Sequence, residues 1–276
     1  MHRMKDAIVD AHLHVWEMPS PRFPWNPLRG MRPAEPAPVE LLLQTMQENH
    51  VHRAVIVQPS NYGYDHSYLA ECLARHPGRF GAVALFDFRA ADANERLATL
   101  VVQGMRGVRL YLYHEPDLSW VDDGSIDPLM ERAAELGVVV IVFGRWDMLS
   151  CIGNLAGRHR GVRFVLDHLG HPEAANPETW PHVLRLADLP NVYIKVSDFP
   201  TLSRQPYPFA DLFPFVRQVR SAFGATRMMW ASNFPHILRQ AGYGQALQLV
   251  DAALPDLSDD ERGWIMGRTA AGLWAL

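Results

Sequence analysis

Cysteine is scarce in this sequence, with only Cys72 and Cys151 among its 276 residues. Two such distant cysteines provide neither a disulfide framework nor a thiolate metal site, which favours a reduced, cytoplasmic protein. Positive charge is not in excess either, because the formal net charge is -4, and this argues against a nucleic-acid-binding surface. No apolar run is as long as a membrane span, so we expect no membrane partner. Residues 1–6 lead straight into the first predicted strand, so we expect no signal peptide.

The remaining composition is that of an ordinary globular protein, with 48% hydrophobic and 20% charged residues. A chain of this length can bury a full hydrophobic core, and we expect residues 1–276 to form one domain.

Eight short segments rich in Val, Ile and Leu alternate with segments of helical periodicity. Continuous apolar strands are typical of a parallel sheet covered on both faces. Eight strand–helix units predict an α/β fold, a (β/α)8 TIM barrel, whose active site lies at the C-terminal ends of the strands. A doubly wound open sheet is the alternative, which the lack of a Gly-x-Gly-x-x-Gly motif disfavours. The predicted strands span residues 7–14, 53–58, 80–86, 107–113, 138–143, 162–169, 192–196 and 227–231.

Two additions to the barrel are predicted, a long proline-rich loop at residues 15–38 and an extra C-terminal helix at residues 259–274. Its aromatic residues Trp16, Phe23 and Trp25 indicate that the loop packs on the protein as a lid or pocket wall. The alternative is a loop that only runs over the surface. We expect this loop and the stretch ending at Trp120 to line the pocket or, alternatively, to be buried in a dimer contact. The protein could therefore be a homo-oligomer. The other predicted helices span residues 39–49, 65–75, 94–103, 126–136, 148–158, 179–189, 209–223 and 243–254.

The first strand ends in a His-x-His pair formed by His12 and His14. Side chains alternate along a strand, so both histidines are expected on one face, with Asp10 one step behind. Two adjacent buried imidazoles need a partner, which is a metal ion, a bound anion, a reacting water or an ordinary set of hydrogen bonds.

The other strands also end in polar residues, and alternation turns Arg109 and Lys195 into the barrel. Two inward cations favour an anionic ligand, most simply a carboxylate. An internal network is the alternative, with Arg109 paired to Asp10 or Asp87 and Lys195 paired to Asp198. The further polar residues at strand ends are Gln58, Tyr111, Tyr113, Arg145, His168, His171, Ser197, Asn233 and His236.

Five segments together resemble the amidohydrolase superfamily. They are residues 8–16, 164–172, 191–197, 228–235 and 265–274, and they cover the chain in the expected order. The resemblance is strongest to the amidohydrolase 2 branch, which includes sugar lactonases, pyrone-dicarboxylate lactonase, sulfomuconolactone hydrolase and aromatic-acid decarboxylases. It implies a hydrolase that acts on a small lactone or related carboxylated substrate.

The resemblance also implies site residues. His12, His14 and His168 would surround the substrate carbonyl, with or without a divalent metal, while Arg109 and Tyr111 would contact the substrate. Together with the strand ends, this gives a predicted set of substrate contacts, namely Gln58, Arg109, Tyr111, Arg145, His171 and Lys195.

Two positions depart from the family pattern. Asn233 stands at the end of strand eight, where the family usually has an Asp, and an amide neither accepts a proton at neutral pH nor binds metal as well as a carboxylate. Residues 143–145 stand where binuclear members carry a histidine, which argues against a binuclear centre.

Two mechanisms of lactone hydrolysis stay open. One Zn²⁺ or Mn²⁺ held by His12, His14 and His168 would supply hydroxide, with Asn233 orienting the water or the substrate. Without a metal, His168 is the predicted base, His171 and His236 are the reserves, and Arg109 or Lys195 stabilises the oxyanion.

Two other functions stay open beside hydrolysis. A decarboxylase of an aromatic or muconate-type acid would use the same barrel, but it normally needs the strand-eight Asp. A non-catalytic small-molecule-binding relative is the third reading, which the retained histidines disfavour.

Overall fold

The computed structural model of the protein describes residues 7–28, 32–113 and 115–276. Residues 1–6, for which no signal peptide is expected, lie outside the described residues, as do residues 29–31 of the proline-rich loop.

Eight parallel strands form one sheet in the order β1 to β8, which confirms the predicted (β/α)8 barrel. The sheet closes where Leu13 forms a parallel bridge with Phe234, so that the first and last strands meet at the C-terminal end. The strands are β1 Val9–Leu13, β2 Arg53–Val57, β3 Phe80–Leu85, β4 Gly107–Tyr111, β5 Val139–Phe143, β6 Arg163–Leu166, β7 Val192–Val196 and β8 Met228–Trp230.

The helices cover the outside of the barrel and its N-terminal end. None of the described helices is long and apolar enough to cross a membrane. The helices are α1 Val39–Glu48, α2 Ser67–Arg75, α3 Ala93–Val102, α4 Ser119–Asp122, α5 Asp127–Glu135, α6 Leu149–Arg158, α7 Trp180–Leu184, α8 Phe199–Leu202, α9 Phe213–Phe223, α10 Tyr243–Ala253, α11 Asp259–Gly263 and α12 Thr269–Trp274.

The hydrophobic core has an outer layer between strands and helices and an inner layer inside the barrel. Trp274 of α12 closes the inner layer at the N-terminal end of the strands. Its indole lies so close to β4 that a Cβ at Gly107 would lie 3.2 Å from the indole nitrogen. The inner layer from the strands consists of Val9, Ala11, Val55, Val57, Val83, Val139, Ile141, Val165, Met229 and Ala231.

Several elements are shorter than predicted, because the backbone turns at the strand ends. Strand β6 ends at Leu166 because His168 and Leu169 adopt left-handed backbone conformations, with φ of 50° and 57°. The predicted C-terminal helix 259–274 is interrupted by a π-helical turn at Trp264–Arg268, so it consists of α11, this turn and α12.

Strand β1 contains an irregularity that changes the predicted pattern of its side chains. The register between β1 and β2 shifts between Asp10 and Leu13. Leu13 therefore packs in the outer layer, while Ala11 packs in the inner layer. The expectation that Asp10 shares a face with His12 was wrong, since the Asp10 carboxylate accepts a hydrogen bond of 2.7 Å from the Tyr243 hydroxyl, outside the barrel.

The π-helical turn packs against the start of β1. This contact leaves no room for a side chain at Gly267. A Cβ at Gly267 would overlap the backbone oxygen of Ala7 and lie 3.7 Å from the backbone nitrogen of Val9. We expect Gly267→Ala to lower the free energy of unfolding in urea by about 1–3 kcal/mol, the usual cost of overpacking. Gly272→Ala is the matched control, because a Cβ there meets nothing within 4 Å. Equal stability of the two variants would contradict the prediction.

Candidate active site

Two adjoining cavities open at the C-terminal ends of the strands. The mouth cavity has a volume of about 300 Å³, and its lining includes His14, Arg109, His168, Asp198, Asn233 and His236. The side cavity has a volume of about 320 Å³ and shares Ser60, Arg109 and Tyr111 with the mouth cavity. Together they offer room for a small organic molecule beside several titratable groups.

The buried carboxylate of Asp167 lies below the mouth cavity and binds three partners. Its Oδ1 lies 3.0 Å from both the Lys195 Nζ and the His12 Nδ1. Its Oδ2 accepts hydrogen bonds from the Arg109 guanidinium, 2.8 Å from Nε and 2.7 Å from Nη2. Burial alone would raise the pKa of Asp167, but the positive charges of Lys195 and Arg109, with the hydrogen bond to His12, hold that pKa well below its usual range. Asp167 is therefore a fixed anion.

Arg109 and Lys195 do form an internal network, but its acid is Asp167 and not one of the acids named from the sequence. Arg109 pairs with Asp167 and not with Asp10 or Asp87, and Lys195 pairs with Asp167 and not with Asp198. Burial lowers the pKa of Lys195 to about 8, although the attraction of Asp167 opposes this shift. Most Lys195 side chains are therefore protonated at pH 7.

Hydrogen bonds restrict where His12 and His14 carry their protons. The His14 Nδ1 donates to the carbonyl oxygen of Val57 at 2.7 Å, so its Nε2 carries a lone pair. That Nε2 faces the His12 Nε2 at 3.2 Å. Burial lowers the pKa of His12 to about 3 and that of His14 well below its ordinary value, so both imidazoles are neutral.

The facing nitrogens decide whether this pair suits a metal ion. If the His12 Nδ1 donates to Asp167, two lone pairs point at each other, and a cation between them would relieve their repulsion. The separation of 3.2 Å is close to that of two imidazoles on one tetrahedral Zn²⁺, about 3.3 Å from Zn–N bonds of 2.0–2.1 Å. If Lys195 instead donates to the His12 Nδ1, at 3.0 Å, the His12 Nε2 donates to His14 without an ion. The pair therefore fits a divalent metal in one of its two tautomers.

His168 is the third predicted ligand. Its Nδ1 lies 2.9 Å from the Ser197 hydroxyl, and its ring centre lies 4.6 Å from that of His12. Burial lowers its pKa well below the ordinary value. Within the described residues, two groups place their donor atoms within 4.8 Å of one another, namely His12, Asp167 and His168, and His168, His171 and Asp198. His14 belongs to neither group, and its ring lies beside those of His12 and His236, with ring centres 4.9 Å and 5.4 Å away.

Asn233 and Asp198 face each other across the ends of β8 and β7. The Asn233 Nδ2 donates to the Asp198 Oδ1 at 2.8 Å. Both residues have left-handed backbones, with φ of 56° and 58°, which Asn and Asp tolerate better than most residues. The Asn233 Oδ1 is buried and has no hydrogen-bond partner among the described residues. Burial raises the pKa of Asp198 to about 6.

The other predicted substrate contacts differ in their access to the cavities. Arg109 and Tyr111 line both cavities. The other four predicted contacts, all of them described residues, line neither cavity. Gln58 donates to the carbonyl oxygens of Gly63 and Asp65, Arg145 pairs with Asp147, Lys195 binds Asp167 and His12, and the ring of His171 packs against Phe143 and Tyr113. These contacts favour supporting roles for those four residues.

The tryptophans of the two predicted loop walls lie near the cavities. The Trp16 ring centre lies 5.9 Å from that of His236, which lines the mouth cavity. Trp120 lines the side cavity, where the Arg89 guanidinium lies over its ring at 5.1 Å. Both stretches therefore contribute to the walls of the candidate site.

Two carboxylates of this site, Asp167 and Asp198, were not among the predicted site residues. Alternation along β6 would put His168 on the same face as Phe164 and Leu166, but these two pack outward while Asp167 points inward. The inward position of Val165 was the available signal, because Asp167 follows it by two residues. Asp198 was considered only as a partner of Lys195, and its left-handed backbone has no clear signal in the sequence.

Comparisons with known proteins identify the family and agree with the fold. The sequence profile of a family described as "Amidohydrolase" matches residues 9–276. An L-fucono-1,5-lactonase of Burkholderia ambifaria is 31% identical, covering 85% of this chain and 82% of the relative. A second L-fucono-1,5-lactonase, of Burkholderia multivorans, is 30% identical, covering 97% of this chain and 96% of the relative. A crystal structure of a Burkholderia multivorans amidohydrolase with bound Zn is 26% identical, with a TM-score of 0.83 and coverage of 98% and 99%.

The triple pairing of Asp167 predicts a large effect when its charge is removed. Asp167→Asn would leave Lys195 and Arg109 buried without an anion, so we expect a loss of about 3–5 kcal/mol in the free energy of unfolding, measured in urea at pH 7. Asp147→Asn is the matched control, since Asp147 pairs with the exposed Arg145 and its loss should cost under about 1 kcal/mol. Similar losses in the two variants would refute this view of Asp167.

Proposed function

Because this chain belongs to the amidohydrolase family, we propose that it hydrolyses the ester bond of a small lactone in the mouth cavity. The observation that carries the proposal is the joint presence, in this one cavity, of neutral imidazoles and the Arg109 guanidinium. Hydrolysis of a lactone needs an acceptor for the proton of water and a positive group for the developing oxyanion. The two lactonase relatives, at 31% and 30% identity, support this reaction.

Arg109 supplies the positive group. The Phe143 ring lies 4.3 Å from its Cζ, and Asp167 holds its Nε and Nη2, so the guanidinium is fixed before a substrate arrives. Arg109 and Lys195 share the single charge of Asp167, which leaves the group with a net charge of about +1 while Lys195 is protonated. This excess charge favours an oxyanion or a substrate carboxylate near Arg109.

His12 and His14 would hold a divalent metal through their facing Nε2 atoms, with His168 as the third ligand. Zn²⁺ or Mn²⁺ bound there would lower the pKa of a coordinated water and polarise the carbonyl. Asp167 would support this arrangement from below, because a hydrogen bond from the His12 Nδ1 to its Oδ1 leaves the Nε2 lone pair free for the metal.

Without a metal, a protein group must accept the proton of the attacking water. Among the imidazoles, the strand position favours His168 for this role; His236 also lines the mouth cavity, whereas His171 lines neither cavity. The Asn233 Oδ1, buried and without a partner among the described residues, would then accept a hydrogen bond from the water and orient it.

The two other hypotheses, decarboxylation and non-catalytic binding, have less support than hydrolysis. Decarboxylation in this family normally uses the strand-eight Asp, which is Asn233 here. Non-catalytic binding gives no reason for the network that fixes the His12 and His14 rings.

Hydrolysis is tested with L-fucono-1,5-lactone and other sugar lactones, by following acid release with a pH indicator. We expect the wild-type protein to hydrolyse at least one of them and His168→Ala to lose about 10²-fold or more in kcat/KM. His52→Ala is the matched control and should keep wild-type activity, since His52 is exposed before β2 at the opposite end of the barrel. Equal activity of His168→Ala and wild type would refute the role of His168.

Metal binding is tested by elemental analysis of protein purified without added metal or chelator. We expect about one divalent ion per wild-type chain, as in a three-histidine site, and a higher melting temperature when Zn²⁺ is added. His14→Ala should lose both effects, whereas His52→Ala should keep them. Equal metal content in His14→Ala and wild type would contradict the assignment.

A further inference from the structure

We propose that Asp198 is the general base of this site. A carboxylate at the end of β7 would then take the role for which Asn233, at the end of β8, has no carboxylate. The inference rests on the proposed lactone hydrolysis and names the group that takes the proton of the attacking water.

Asp198 is the only carboxylate that lines the mouth cavity among the described residues. The buried Asp167 cannot serve, because Lys195, Arg109 and His12 already bind both of its oxygens. Asn233 cannot serve either, since a carboxamide has no basic lone pair at neutral pH. Any acid–base chemistry that requires a carboxylate in this cavity therefore falls to Asp198.

The contacts of Asp198 leave one oxygen available. The Asn233 Nδ2 at 2.8 Å and the Thr201 hydroxyl at 3.0 Å both donate to Oδ1. No described residue donates to Oδ2, so this oxygen can accept a proton. Asn233 thus orients the carboxylate by donating to it, which an Asp at position 233 could not do at neutral pH.

Groups that could bind the reacting water lie next to Asp198. A carboxylate oxygen of Asp198 lies within 4.8 Å of a ring nitrogen of His168 and of one of His171. His14 and Arg109 line the same cavity. A water between the carboxylate and these groups would meet both a base and the groups that bind the substrate carbonyl.

Electrostatics favours a carboxylate over an imidazole as the base. Protonation of His168 would create a second positive charge beside Arg109, whereas protonation of Asp198 removes a negative charge that burial disfavours. Burial raises the pKa of Asp198 to about 6, which brings it close to the pH at which a general base is most effective.

The step conserves atoms and charge. Asp198 Oδ2 takes a proton from water as the water oxygen bonds to the lactone carbonyl carbon, and the carbonyl electron pair moves to its oxygen beside Arg109. The tetrahedral intermediate then expels the ring oxygen, which takes the proton back from Asp198 as the carbon–oxygen bond breaks. The product is the open-chain hydroxy acid, and Asp198 returns to its ionised form.

The test is an exchange of the two facing residues. We expect Asp198→Asn to lose about 10²-fold or more in kcat/KM for a hydrolysed lactone, with a smaller effect on KM. The double variant Asp198→Asn/Asn233→Asp restores a carboxylate to the same pair and should recover at least about tenfold of that loss, as expected for a displaced base. Asp251→Asn is the matched control, because Asp251 on α10 pairs with Arg262 on α11, and neither residue lines either cavity.

Each outcome has a defined meaning. Wild-type activity in Asp198→Asn, in a preparation whose melting temperature matches wild type, overturns the inference and leaves lactone hydrolysis intact. A loss that the double variant does not recover, together with a lowered melting temperature in both, shows a structural role and also overturns it. A wild-type protein that hydrolyses no lactone refutes the proposed function and this inference with it.

Discussion

The buried carboxylate of Asp167 is the contact on which the rest of the site depends. It neutralises one of two cations inside the barrel, holds Arg109 at the boundary of both cavities and fixes the ring of His12. A lysine with its whole side chain inside a barrel is costly to bury without such an anion. The polar site above this layer depends on that partial neutralisation, and Trp274 closes the apolar layer beneath it.

The barrel could be predicted because eight repeats of the same strand–helix unit reinforce one another. The facing of Arg109 on β4 and of Lys195 on β7 also followed from simple alternation. Alternation failed at Asp10 and at Asp167, in each case beside an irregular backbone. The register shift in β1 and the turn after Leu166 depend on contacts with distant segments, which a local pattern does not contain.

The functional part of the site was harder to predict than the fold. Position 233 was recognised as unusual, yet its meaning depends on Asp198, 35 residues away in sequence and 2.8 Å away in space. Polar strand ends could be listed from the sequence, but their division into cavity-lining groups and buried supports could not. Gln58 and Lys195, predicted to contact the substrate, bind other groups of the protein and line neither cavity.

The closing bridge between Leu13 and Phe234 joins the two ends of the chain beside the candidate site. The backbone of His12 accepts from the amide of Asn233 at 2.9 Å, and the amide of His14 donates to the carbonyl of Phe234 at 2.7 Å. During synthesis on the ribosome, the His-x-His strand emerges early and must wait for nearly the whole chain before these bonds can form. A truncated or partly synthesised chain would therefore have no assembled site, which makes this site a sensitive reporter of completed folding.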